Sequence, residues 1–251
     1  MNLTQAIEAR RSRRRYLGTP IDLGIVSKLR ELAAEYGRTG NIRMELVTDN
    51  GEAFNGFRKS YGMFSGVNDY LGLVANKEDG TAAERIGYYG EMFMLHTTAM
   101  GLGSCWVGMG GDRADMPFSL AENEEVVCTI ILGNTAEKDS LKERLIRGIT
   151  HRKTKAAKEM FAGNGPVPDW FMDGMKAVEK APSAMNRQPV MFSYNAGKVS
   201  AWVKAKDDSA RLPSLLGLDF GIAKLHFEIG AGGGKWAWGN NAEFTRQGSV
   251  S

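Results

Sequence analysis

Two strings in this chain gather residue types that can do chemistry on a small polar molecule. Near the N-terminus, Arg10-Arg11-Ser12-Arg13-Arg14-Arg15 sets arginines on both sides of one serine. Guanidinium groups and a hydroxyl together donate several charge-assisted hydrogen bonds to a phosphate, and arginine adds a planar fork. Far along the chain, Pro182-Ser183-Ala184-Met185-Asn186-Arg187-Gln188-Pro189 carries Ser183, Asn186 and Gln188 between two prolines. Those side chains donate and accept, so they suit hydroxyls and the polar edge of a ring, while proline stiffens the backbone. Each string also has a plainer reading. The first is equally a nucleic-acid or targeting patch or a solvated charge run, and the second a helix end followed by a turn.

Two weaker strings accompany them. Gly101-Leu102-Gly103-Ser104-Cys105-Trp106-Val107-Gly108 would let backbone N–H groups approach a planar ring closely, or would simply end a helix beside a core tryptophan. His151-Arg152-Lys153 is a further basic point, either part of a phosphate site or a solvated linker.

Bulk properties exclude several classes. With 32 Lys and Arg against 29 Asp and Glu, the formal charge of +3 is too small to act as a whole-protein field for nucleic acid or anionic membrane. Apolar residues at 43% and charged residues at 24% are ordinary globular values. No secretory leader pattern and no apolar run of bilayer length occurs, so a cytoplasmic protein is expected. Cys105 and Cys128 lack CxxC spacing and are expected to be reduced and buried. His96, His151 and His226 lie far apart, so no metal site is expected.

The elements that must position the strings follow from periodicity and turn residues. Helices are expected over Leu3–Arg10, Leu23 to about Tyr36 with Gly37 to Gly40 as its stop, Thr81–Met100, Asp169–Lys180 and Leu218–Ile229. Strands are expected over Arg43–Thr48, Tyr70–Ala75, Val126–Leu132, Val190–Tyr194 and Val199–Lys204. The segment Glu137–Lys158 is strongly charged, and Gly163 to Pro168 after it marks an internal boundary. The chain therefore divides into a first half, 1–160, and a shorter second half, 161–251. Gly87, Met92, Leu95, His96 and Trp106 face Gly217, Ile222, Leu225, His226 and Trp236 at one constant offset, a faint internal repeat.

These residues resemble the nitroreductase family of flavoproteins. Arg10-Arg11-Ser12-Arg13-Arg14 is similar to the family's N-terminal phosphate motif, and Pro182 to Pro189 to its Pro-Ser-x-x-Asn-x-Gln-Pro motif. The Gly-Leu-Gly-Ser-Cys-Trp stretch and Arg152-Lys153 sit in family-like order. The resemblance implies an α+β fold, FMN, and NAD(P)H as electron donor. Ordinary members build each FMN site from two subunits, one giving the basic motif and the other the Pro-Ser loop. Here the loop is missing near Tyr36 to Arg43 and stands in the second half, which is similar to the single-chain branch of the family. That branch implies two related halves, each a sheet flanked by helices, a pseudo-dimer with one complete site, as a monomer or weak homodimer.

On this resemblance Arg10, Ser12, Arg14 and Arg152 would bind the FMN phosphate, with Arg11 the alternative to Arg10. Pro182, Ser183, Asn186 and Gln188 would cover the ribityl chain and ring, and Gly108 and Met109 would lie beside the flavin edge. No catalytic side chain is assigned, because the flavin supplies the reactive centre. The expected activity is reduction of nitroaromatic, quinone or similar electron-poor small molecules. The alternatives are a flavin- or ligand-binding protein of this fold without turnover, and a same-fold enzyme acting in enone reduction or dehalogenation.

Overall fold

Asn2 and Gln5 begin the first helix by satisfying each other's backbone. Gln5 N donates to Asn2 Oδ1 at 2.8 Å and Asn2 N to Gln5 Oε1 at 3.0 Å, a capping box that starts α1 (Leu3–Ala9). The computed structural model describes residues 1–56, 59, 62–108, 112–136, 154–163, 165–203 and 214–247. They fall into two compact units. One holds the described residues of Met1–Asp79 and Met92–Thr150, the other those of Gly80–Glu91 and His151–Ser251.

In the first unit Asp22 caps α2 (Leu23–Gly40) by accepting from Gly24 N and Ile25 N, and Val26, Leu29 and Ala33 supply its buried stripe. The expected stop at Gly37 to Gly40 is overturned. Gly37 lies inside the helix, where a Cβ would meet Ile42 O at 3.1 Å, so it makes room for the returning chain. The turn falls to Asn41, in the left-handed conformation at φ 46°, which asparagine tolerates better than most residues. Strands β1 (Arg43–Val47), β2 (Asp69–Asn76), β3 (Gly103–Val107) and β4 (Glu124–Gly133) form one antiparallel sheet in the order β1-β2-β4-β3. Between β2 and β3 runs α3 (Ala82–Ala99), followed by Gly101 at φ 86° as the sequence indicates. Cys105 and Cys128 are both buried, and neither is in a disulfide.

The second unit contains β5 (Phe161–Ala162), α4 (Asp169–Glu179), β6 (Val190–Asn195), β7 (Lys198–Val203), α5 (Ser214–Gly230), β8 (Gly234–Trp236) and β9 (Ala242–Arg246). Its sheet order is β5-β6-β7-β9-β8, with β5 parallel to β6 and every other pair antiparallel. Phe171, Met175 and Val178 line the core face of α4, at the helical spacing of the sequence, and Phe192 stacks on Phe227 with ring centroids 5.1 Å apart.

The same wiring occurs twice. Leaving aside β5, the strands of the second sheet, β6-β7-β9-β8, are ordered and paired as are β1-β2-β4-β3 in the first. In each case a helix precedes the first strand and another joins the second strand to the third. His96 and His226 fall on the joining helices, and Trp106 and Trp236 on the strands after them.

The second unit also buries charge. The Glu84 carboxylate pairs with Lys224 Nζ and accepts from Gly239 N at 2.8 Å, and Lys224 Nζ lies 4.1 Å from the Phe220 ring centroid. His226 places Nε2 3.0 Å from Glu91 Oε1 and Nδ1 3.0 Å from Ala177 O. The helix segments that carry these pairs touch backbone to backbone, since a Cβ on Gly221 would fall 1.9 Å from Glu84 O.

Candidate functional site

The basic string leaves α1 at Arg10 and runs extended. Ser12 pairs with Ser104 of β3 as a parallel bridge, Arg13 N donates to Ser104 O at 2.9 Å, and Ser65 N donates to Arg14 O at 3.1 Å. The string is thus an added edge segment on β3, which joins the N-terminal motif to the Gly101–Gly108 stretch, two regions about ninety residues apart. Tyr16 pins its end: the buried ring sends its hydroxyl to Arg13 O at 2.9 Å, while Arg13 Nη2 reaches Ala136 O at 2.9 Å. Arg13 is therefore turned to the fold. Arg11 and Ser12 are exposed, and Arg10 and Arg14 are half-buried. Arg14 packs its guanidinium 5.8 Å from the Phe64 ring centroid.

Beside this segment, Ser104 is 1% exposed and its Oγ has no hydrogen-bond partner among the described residues. A buried hydroxyl in that state costs the fold free energy until an acceptor or donor reaches it. Gly108 follows β3 and is exposed. Met109 and Arg152 lie outside the described residues.

The Pro-Ser loop leaves α4 at Glu179 and enters β6 at Val190. Ser183 Oγ accepts from Gln188 N at 2.9 Å, closing the loop on itself, and Asp219 Oδ1 on α5 accepts from Ala184 N at 2.9 Å. Met185, Asn186 and Gln188 all adopt left-handed backbone, at φ 53°, 50° and 45°. None is glycine, and such clusters persist only where the surroundings hold them. Met185 is 59% exposed at the tip and Asn186 half-buried beside it.

Gln188 behaves differently from its neighbours. It is 5% exposed, its Oε1 accepts from Lys155 N at 2.8 Å, its Nε2 points to Glu179 O at 3.5 Å, and its backbone carbonyl accepts from Lys155 Nζ at 2.8 Å. Its amide is thus engaged inside the unit, where it ties the loop to Lys155 near the end of the charged stretch. Sequence reasoning gave it a ligand-facing place because residue type alone does not say which side chains of a loop turn inward.

Two further residues bear on these loops and had weak signals. Asp219 is 6% exposed in an otherwise apolar stretch, Leu218-Asp219-Phe220, and burial pushes its carboxyl up to about 7, partly offset by the Ala184 N–H and by Arg187. A lone acid on an apolar helix face was the available sign. Ser104 showed none, because its value comes from a long-range pairing with Ser12.

Architecture and loops define a mixed helix-and-sheet protein of nitroreductase type. The family described as "Putative TM nitroreductase" matches residues 2–231, and the chain belongs to that family. Among solved structures, one described as a putative nitroreductase from Thermotoga maritima MSB8 is 18% identical, with 97% of this chain and 92% of that chain covered at a TM-score of 0.65. An FMN-dependent nitroreductase from Clostridium difficile R20291 is 18% identical over 60% of this chain and 98% of its own, at a TM-score of 0.45. A nitroreductase with bound FMN from Bacteroides fragilis NCTC 9343 is 19% identical over 57% and 93%, at 0.43. No curated protein sequence matches the chain.

Proposed function

We propose that this protein is an FMN-dependent NAD(P)H oxidoreductase that reduces nitroaromatic, quinone or similar electron-poor small molecules in the cytoplasm. The observation that carries the reading is the pairing of the basic segment with Ser104. The string gathers several guanidinium groups on one segment, and that segment pairs with Ser104, whose buried hydroxyl has no hydrogen-bond partner among the described residues. A phosphate answers both, so the donor set fits the phosphate end of FMN. Arg10 and Arg14, with Arg11 as the alternative to Arg10 and with Arg152 added, would neutralise it, and Ser12 would donate its hydroxyl.

Pro182, Ser183 and Asn186 would line the ribityl chain and ring edge, and Gln188 would hold them in place through its bonds to Lys155. Gly108 and Met109 would pass beside the ring, where the missing side chain of Gly108 leaves room. When bound, FMN supplies the hydride and electron chemistry, so the chain needs no acid or base of its own for that exchange. Its residues bind the phosphate, orient the ring and keep the loop shaped. The repeated strand order supports descent from a duplicated unit, with one complete site per chain and function as a monomer or weak homodimer.

The test is the visible absorption spectrum of the purified protein, loaded with FMN, before and after anaerobic NADH or NADPH. Flavin absorbance that bleaches is expected. Bound flavin that does not bleach would favour a binding protein without turnover, and failure to take up added FMN would remove the reading.

A further inference from the structure

Within the second unit, the leading half of the Pro-Ser loop has one bond to a partner outside the loop among those described, the Ala184 N–H to Asp219 Oδ1 at 2.9 Å. The trailing half is held separately, by Lys155 on Gln188. Between the two anchors lie Met185 and Asn186, whose left-handed backbone does not persist by itself. Asp219 forms no ion pair among the described residues and sits 6% exposed between Leu218 and Phe220, 4% and 0% exposed. A buried carboxylate without an ion-pair partner is costly, and the Ala184 N–H bond, helped by the nearby charge of Arg187, is what it obtains in return. Together with Pro182, Ser183, Gln188 and Pro189 it lines a small cavity under the loop.

We infer that Asp219 is a positioning residue for the flavin loop: its carboxylate, by taking the Ala184 N–H, sets the left-handed turn that presents Asn186 to the ligand. The inference rests on the FMN reading for the ligand's identity. The loop geometry stands apart from it.

A carboxylate accepts from an N–H more strongly than a neutral acid does. Burial raises the Asp219 pKa to about 7, so the charged acceptor is present above that pH and is lost as pH falls through it. The charged group that acts on it is Arg187 in the loop; Lys155 is engaged with Gln188 at the trailing anchor, the Glu179 carboxylate accepts from Ala157 N, and Lys224, farther along α5, is paired with Glu84.

The experiment compares the full-length protein with Asp219→Asn and Asp219→Leu, measuring FMN affinity by fluorescence quenching from pH 5.5 to 8.5 and trypsin cleavage after Arg187 without ligand. In the parent, affinity should rise about tenfold across pH 7 in excess of the change seen in Asp219→Asn, which keeps an acceptor oxygen but cannot titrate. The FMN phosphate also titrates, near pH 6, but does so identically in every variant. Asp219→Leu should bind FMN at least about tenfold more weakly at every pH and be cut faster after Arg187. Identical pH profiles in parent and Asp219→Asn, with unchanged cleavage in Asp219→Leu, would overturn the positioning role. A parent that binds no FMN while Asp219→Leu is cut faster would overturn the flavin reading and leave Asp219 as the loop's anchor.

Discussion

Two corresponding helix ends in this molecule are solved in opposite ways. In the first unit α2 runs to Gly40, turns on one left-handed residue, Asn41, and after buried Ile42 becomes β1 at Arg43. In the second unit α4 stops at Glu179, and residues 180–189 intervene before β6 begins at Val190. The helix and strand occupy the same place in the repeated topology, so the connection itself needs only two residues. The longer loop, with three left-handed residues and anchors from Asp219 and Lys155, is structure beyond what connectivity demands. Strain held by outside contacts clusters at ligand-binding segments, which supports the proposed role of this loop.

The largest expected effect tests the support beneath that loop. Helix α5 carries Asp219, Lys224 and His226 in the core, the last two fully buried. Lys224→Met should strand the Glu84 carboxylate in the interior and cost about 3–5 kcal/mol, read from urea denaturation. A near-neutral result would mean that the second unit does not lean on its buried charge, and the contrast with the first would lose its foundation. Next in size, Arg14→Ala and Asn186→Ala should each weaken FMN binding by about tenfold to a hundredfold, or roughly 1.5–3 kcal/mol. Arg38→Ala, at the exposed end of α2, should leave FMN affinity alone. If it weakens binding as much as the other two, the end of α2 also serves the site and the contrast between the two helix ends fails.

Much of this contrast was legible, and its limits have physical causes. Phe171, Met175 and Val178 repeat at helical spacing, so α4 and the start of the loop were readable. Asn195-Ala196-Gly197 marked the hairpin, and both Ala196 and Gly197 have positive φ, at 49° and 85°. The end of α2 was misread because glycine serves close approach as well as termination, and the sequence does not say which. Strand β9 was passed over although Ala242 and Phe244 alternate with exposed residues, since its five residues follow several turn-forming glycines and asparagines. The motif residues were visible one by one. The edge pairing of Ser12 with Ser104 and the Asp219 anchor were not, because both are long-range contacts with no local period.

The smallest expected effect separates the two ends most directly. Asn41 and Met185 share nearly the same left-handed φ, 46° and 53°, yet asparagine adopts it readily and methionine does not. A left-handed non-glycine residue costs about 1–2 kcal/mol, while glycine gives back roughly 0.5–1 kcal/mol through the freedom of the unfolded chain. Met185→Gly should therefore stabilise the protein by up to about 1 kcal/mol, and Asn41→Gly should change it by no more than a few tenths, both read from thermal denaturation. Affinity should move the other way at Met185. Glycine there relieves the strain but widens the range of turns open to Asn186, so FMN binding should weaken by a few-fold as stability rises. A Met185→Gly protein that is both more stable and as tight for FMN would show that the strained turn prepares nothing. Equal stability changes at both positions would show that the two helix ends carry the same strain after all.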